Sequence, residues 1–235
     1  MEFVPKNRVI DKDDVLNLSD KQIKILKKYF EESFPDILSS EKYSCIGQIE
    51  YVISKIFENL NDGDVVIAPG DSPSKIVKII QIVFGDNDNY IFEENQNKYI
   101  RFINFPISSI SFVDSTVIDK YLLKILTFSG IEKIDNMKYL DFIEQGRSYK
   151  NIAQSLQRIF RKEYMIPTIN LKDFQPENQE CQSALKLITD ISEGTTSRCL
   201  PNFNLYDTKK LPDNSLLRCN TVIAIVSLLL LGKLF

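Results

Sequence analysis

The chain has 235 residues, 43% hydrophobic and 26% charged, the proportions of a folded domain with a real core. Its 29 basic and 32 acidic residues leave a net charge of −3, so nothing in the balance points to a nucleic-acid partner. It contains no histidine, which removes the commonest general base, the commonest zinc ligand and every Ser-His or Cys-His nucleophile pair.

Cys45, Cys181, Cys199 and Cys219 form no CxxC pair, so they read as free thiols of a reducing compartment. Met1 to Asp14 is polar and acidic rather than signal-like, and a cytoplasmic location is expected.

Val4 to Leu16 reads as an irregular arm. Ser19 can cap a helix from Asp20 to Ser33, with Gln22 completing a capping-box pattern and Ile23, Leu26 and Phe30 on one face. Pro35 stops it. Lys24, Lys27 and Lys28 beside Glu31 and Glu32 read as a solvated face. Ile49, Val52, Ile53, Ile56 and Phe57 stripe a second helix over Ile46 to Leu60, and Asn61-Asp62-Gly63 marks a turn. Residues 1–60 are thus expected as an arm and helices packing on a core of residues 61–235.

In that core, Asp64 to Ala68 reads as a buried strand followed by Pro69 and Gly70. Ser72 and Pro73 predict the start of a helix running to Phe84. Gly85 to Asn89 reads as a turn, Tyr90 to Phe92 as a short strand and Tyr99 to Phe105 as a longer one. Ser115 to Ser129 predicts a helix, with Asp114, Ser115 and Asp119 near its start as capping residues. Lys138 to Ile143 is a strand, and a helix follows to Arg161, where Arg158, Arg161 and Lys162 suit the helix dipole. Pro167 to Leu171 is a further strand. Tyr90, Tyr99 and Tyr139 read as sheet-packing residues. One helix is expected over Gln179 to Ile191, then an extended section with Pro201 and Pro212. Thr221 to Leu231 is strongly apolar but far shorter than the roughly 20 residues a spanning helix needs. It predicts a buried helix or strand, with a tail anchor as the alternative.

This alternation predicts an α/β fold: a mainly parallel sheet with helices on both faces. Ligands of such sheets sit outside the carboxyl ends of the strands, where the loops at Pro69–Ser72 and Glu144–Ser148 fall. In the first loop, Pro69, Gly70, Asp71 and Ser72 open a helix with Lys75 one turn in, an arrangement compatible with an anion. It is neither a Walker loop nor GxGxxG. It also resembles the first strand and turn of S-adenosylmethionine-dependent methyltransferases. That family places an acid at the end of the next strand, where this chain has Asn104-Phe105-Pro106.

The second loop runs Asp141-Phe142-Ile143-Glu144-Gln145-Gly146-Arg147-Ser148. It resembles the phosphoribosyl-diphosphate loop of type I phosphoribosyltransferases: two acids, a few variable residues, then Thr-Gly-x-Thr. The resemblance spans roughly Asp64 to Leu171 and implies a phosphoribosyltransferase-like, Rossmann-like three-layer core. It implies that Asp141 contacts ribose hydroxyls and that Gly146 and Ser148 cradle a 5′-phosphate, with Gln145 and Arg147 beside them. Asp141 and Glu144 are the carboxylates placed for catalysis, displacement of pyrophosphate from C1 by a nitrogen nucleophile. Mg²⁺ would neutralise the diphosphate, and no residue is assigned as a metal ligand. Pro69 to Ser72 corresponds to the family's pyrophosphate-binding turn. Leu140 stands where the first acid belongs and Gln145 where threonine is usual.

The expected partner is therefore a phosphorylated small molecule, with no nucleic acid and no membrane span. The departures also admit a non-catalytic interaction protein. Its N-terminal helices and the 173–220 region could then serve a partner or a second copy in a homo-oligomer.

Overall fold

The computed structural model describes residues 3–5, 8–33, 42–69, 71–86, 89–92, 98–105, 115–143, 146–174 and 213–234. In chain order these form α1 (Lys12–Leu16), α2 (Asp20–Ser33), α3 (Lys42–Glu58), β1 (Val65–Pro69) and α4 (Asp71–Phe84). There follow β2 (Gly85–Asp86), β3 (Asn89–Phe92), β4 (Lys98–Phe105), α5 (Ser115–Phe128) and β5 (Met137–Asp141). The remainder is α6 (Arg147–Phe160), β6 (Thr168–Asn170), a 3₁₀ turn (Leu171–Phe174) and α7 (Asp213–Leu230).

The sheet order is β2-β3-β4-β1-β5-β6. Four strands, β4, β1, β5 and β6, run parallel, and β2 and β3 extend the β4 edge in antiparallel fashion. Two hydrophobic clusters cover the two faces. Val66, Ala68 and Leu140 pack with α2, α3, α4 and α7. Ile67, Met137 and Tyr139 pack with α5 and α6. Successive strand residues point to opposite faces, so the β-branched run at β1 supplies both cores at once. The chain steps from β1 to β4 through α4, then returns past β1 to β5 through α5. Opposite faces for α4 and α5 are what right-handed crossovers require when the direction reverses. The α/β expectation therefore holds at the level of a mainly parallel sheet with helices on both faces.

Several local expectations are corrected. The arm is not wholly irregular: α1 starts at an Asp11 cap, with a reciprocal bond between Asp11 and Asp14. The turn expected at Gly85 to Asn89 instead carries β2 and the start of β3. Helix α4 begins at Asp71, so Ser72 lies inside it and the cap position falls on residue 70, outside the described residues. Helix α6 likewise begins at Arg147 after Gly146. Gln22 does accept from the Ser19 backbone N–H at 2.8 Å, the capping-box half read from sequence.

Thr221 to Leu231 lies largely within α7, which packs on α1, α2, α3 and α4. Residues Val222 to Leu228 are buried there. Among the described residues, no helix is long and apolar enough to cross a membrane. The buried Asn220 amide ties this helix to the arm. Its Oδ1 accepts from the Ile10 N–H at 2.9 Å, and its Nδ2 donates to the Pro5 and Arg8 carbonyls at 2.8 Å each. Arm and C-terminal helix thus share one core with β1. The helix expected over Gln179 to Ile191, and the extended section after it, lie outside the described residues.

Candidate functional site

Strands β1 and β5 are hydrogen-bonded neighbours, with Val65 opposite Met137 and Ile67 opposite Tyr139. Pro69 and Asp141 are their last residues. The two turns singled out in the sequence therefore leave adjacent parallel strands at the point where the strand order reverses, where open α/β sheets bind ligands.

Within the first turn, Pro69 is buried and pairs in register with Phe105 of β4. Proline has no N–H to give the ladder, and β1 ends at this residue. The described anchor is Ser74, for which the sequence alone gives no signal: its Oγ donates to the Ala68 carbonyl at 3.4 Å. Lys75 sits in the first helical turn and is only 2% exposed. Gly70 and the side chains of Asp71 and Ser72 lie outside the description.

The second turn is richer. Asp141 and Tyr139 alternate onto the α5–α6 face of β5, and the Tyr139 hydroxyl donates to Asp141 Oδ2 at 3.1 Å. Asp141 Oδ1 accepts the Phe142 N–H at 2.8 Å. Burial pushes the carboxyl up to about 6, opposed by the two hydrogen bonds from Phe142 and Tyr139. Burial also raises the Tyr139 phenol, as do the charge and hydrogen bond of Asp141; a hydrogen bond with Ser148 acts the other way. The Tyr149 ring meets Tyr139 edge-on at 5.2 Å, and its hydroxyl donates to the Ile166 carbonyl at 3.0 Å. Tyr139 is thus more than the packing residue expected from sequence, whereas Tyr99 is exposed.

Gly146 occupies the N-cap of α6 with φ 64°, in the left-handed region, and among the described residues no side chain caps the helix. Among the described residues, a Cβ at Gly146 would meet nothing within 4 Å, so the space over the turn is open. Uncapped first-turn N–H groups beside open space suit an anion. Ser148 is half-buried in that first turn. Glu144, Gln145 and the Arg147 side chain lie outside the description.

Asn170 ends β6 opposite Asp141 and was missed in the sequence. Its Oδ1 accepts the Ile143 N–H at 3.0 Å and the Lys172 N–H at 3.2 Å, while its Nδ2 donates to Asp173 at 3.1 Å. It fixes the chain as it leaves Asp141. Only the pairing of β5 with β6 reveals that role. Leu140, by contrast, is fully buried in the opposite core with Val66 and Ala68. A carboxylate at Leu140 would be enclosed by apolar groups.

Other sequence candidates serve packing. Asp119 does not cap α5; Arg158 donates to both its oxygens at 2.8 Å and to Ser155 Oγ at 3.0 Å, clamping α5 to α6. That bond to Arg158 holds the Asp119 carboxyl below its usual range. Lys162 pairs with Asp135. The described residues contain no group of three His, Cys, Asp or Glu able to hold a metal. Comparison with models of known families, with curated proteins and with solved structures gives no match.

Proposed function

We propose that the β5–α6 turn, with the β1–α4 turn beside it, binds a phosphorylated ribose: phosphoribosyl diphosphate or ribose 5-phosphate. The core is then phosphoribosyltransferase-like, as the loop from Asp141 to Ser148 suggests. One observation carries the reading. Asp141 and the uncapped Gly146 helix start flank the carboxyl end of β5, directly beside β1 at the reversal of strand order.

The chemistry is consistent with this. Gly146 to Ser148 offers first-turn N–H groups, and Ser148 adds a hydroxyl, for the three oxygens of a phosphate monoester. Each Asp141 oxygen accepts one bond from the protein and keeps acceptor capacity for one ribose hydroxyl. The ligand's own oxygens would bring Mg²⁺, which screens the charge of a diphosphate leaving group. In a transfer reaction the C1–O bond to pyrophosphate breaks and a C1–N bond forms, and Asp141, with Glu144 three residues on in sequence, would be the carboxylates available to the developing positive charge. The burial of Leu140 leaves this chain without the first acid of the pair, which favours ligand binding with the transfer step weakened or lost. The methyltransferase alternative loses support at β4, which ends in the fully buried Phe105 instead of an acid.

Calorimetry with phosphoribosyl diphosphate and Mg²⁺ tests the proposal. Binding that Asp141→Ala weakens at least about tenfold, the scale of one lost charge-assisted contact, is expected. Absence of binding at millimolar ligand contradicts it, and an Asp141→Ala variant that binds equally well puts the site elsewhere.

A further inference from the structure

Asn170 is the neighbour of Asp141 across the sheet, on the same face. The parallel register sets Leu140 opposite Ile169 and Asp141 opposite Asn170. Leu140 and Ile169 share the apolar cluster that holds α7. Asp141 and Asn170, one residue further along each strand, therefore both lie on the other face. Strand spacing puts them about 4.8 Å apart, at the carboxyl end of the sheet where the candidate site lies.

Three hydrogen bonds hold the Asn170 amide. Its Oδ1 accepts the N–H groups of Ile143 at 3.0 Å and Lys172 at 3.2 Å, and its Nδ2 donates to Asp173 Oδ1 at 3.1 Å. These partners fix which end of the amide is oxygen, because an N–H needs an acceptor and a carboxylate needs a donor. Both acceptor positions of Oδ1 are filled in this way. Nδ2 carries two hydrogens, and one of them goes to Asp173. Among the described residues the other meets no acceptor, so a half-buried side chain keeps a donor in reserve beside Asp141.

Asp141 supplies the complement. As a carboxylate it only accepts, and each oxygen keeps capacity beyond its bond from Tyr139 or Phe142. An acceptor beside a donor suits a group that gives one hydrogen bond and takes another, and a hydroxyl does both. One oxygen about 2.8 Å from each partner spans groups about 4.8 Å apart. We propose that Asn170 is a specificity-determining residue of this site, whose Nδ2–H donates to the ribose hydroxyl that itself donates to Asp141. This rests on the phosphorylated-ribose reading above and adds a second residue, from β6, that reads the sugar. Asp141 alone would take any hydroxyl proton within reach. The pair also requires the hydroxyl oxygen at a set place, and so reads the position of that hydroxyl on the ring.

The test is calorimetric titration of three sugar phosphates into the wild type, Asn170→Ala and Asn170→Asp. The sugars are ribose 5-phosphate, 2-deoxyribose 5-phosphate, which lacks the 2-hydroxyl, and xylose 5-phosphate, in which the 3-hydroxyl is inverted. The wild type is expected to prefer ribose 5-phosphate by at least about tenfold over the sugar that loses the bridging hydroxyl. Both variants are expected to cut that preference about three- to tenfold and to leave the other ratio unchanged. Asn170→Asp separates recognition from a merely structural role. It keeps an oxygen for the Ile143 and Lys172 N–H groups but has no hydrogen to donate. Its added charge weakens all three phosphates and cancels in the ratios, and it carries the test by itself if Asn170→Ala does not fold. Ratios identical in the wild type and the folded variants overturn the role of Asn170 and leave the ligand reading intact. No binding of any of the three sugars by the wild type overturns the ligand reading, and the role of Asn170 with it.

Discussion

Tyr139 and Asp141 stand two residues apart on β5, on the same face, with the phenol donating to the carboxylate at 3.1 Å. This places an ionisable group at the mouth of the candidate site and holds it in a partly apolar setting. The folded carboxyl titrates at about 6 instead of the ordinary 3.8, because burial penalises its charged form. The stability linked to Asp141 is therefore complete below about pH 4 and is lost as pH rises through about 6. The difference corresponds to about 3 kcal/mol as an upper bound. Asp141→Asn is expected to unfold at higher urea than the wild type at pH 7.5, by about 1–3 kcal/mol, and equally at pH 3.5. Equal stability at both pH values contradicts the assignment.

At Gly146 the backbone has φ 64°, a region that costs an ordinary L-residue about 1–2 kcal/mol. Among the described residues nothing lies within 4 Å of a Cβ there, so the backbone conformation decides the outcome. Gly146→Ala is expected to destabilise by about 1 kcal/mol and Gly146→Asn by less, because asparagine tolerates the left-handed conformation. Urea unfolding of both variants checks this, and the reverse order contradicts it.

Two polar residues of α7 are expected to respond with opposite signs. Asn220 satisfies three backbone groups of the arm. Asn220→Ala leaves them without their partner and should cost about 2–4 kcal/mol, with faster amide exchange at Ile10. Ser227 is buried, and its hydroxyl has no partner among the described residues. Ser227→Ala is expected to stabilise by about 1 kcal/mol, since alanine carries no polar atom to desolvate. Thermal melts of the two variants separate them at once.

Features set by neighbouring residues were legible in the sequence. The alternation of β-branched runs with helical stripes reveals the parallel strands, and the apolar Thr221–Leu231 segment reveals a buried element. Strand-exit glycines also marked where the turns fall. The Asp11–Asp14 cap of α1 is a local signal, blurred by the other charges of the arm. Features created by pairing distant segments were not legible. Asn170 acts on Ile143 only because β6 lies beside β5. Asn220 reaches Ile10 across 210 positions. Leu140 and Asp141 face opposite sides of β5 by strand alternation, but which side meets α7 and which meets α5 and α6 is set by the helices packed there.

The central claim is that the turns after β1 and β5 form a single ligand site. Backbone amide shifts during titration with ribose 5-phosphate test it most directly. The account predicts concerted, saturable shifts at Gly146–Tyr149 and at Asp71–Ser74, with one shared affinity. Shifts confined to one turn, or spread over residues remote from both, contradict it.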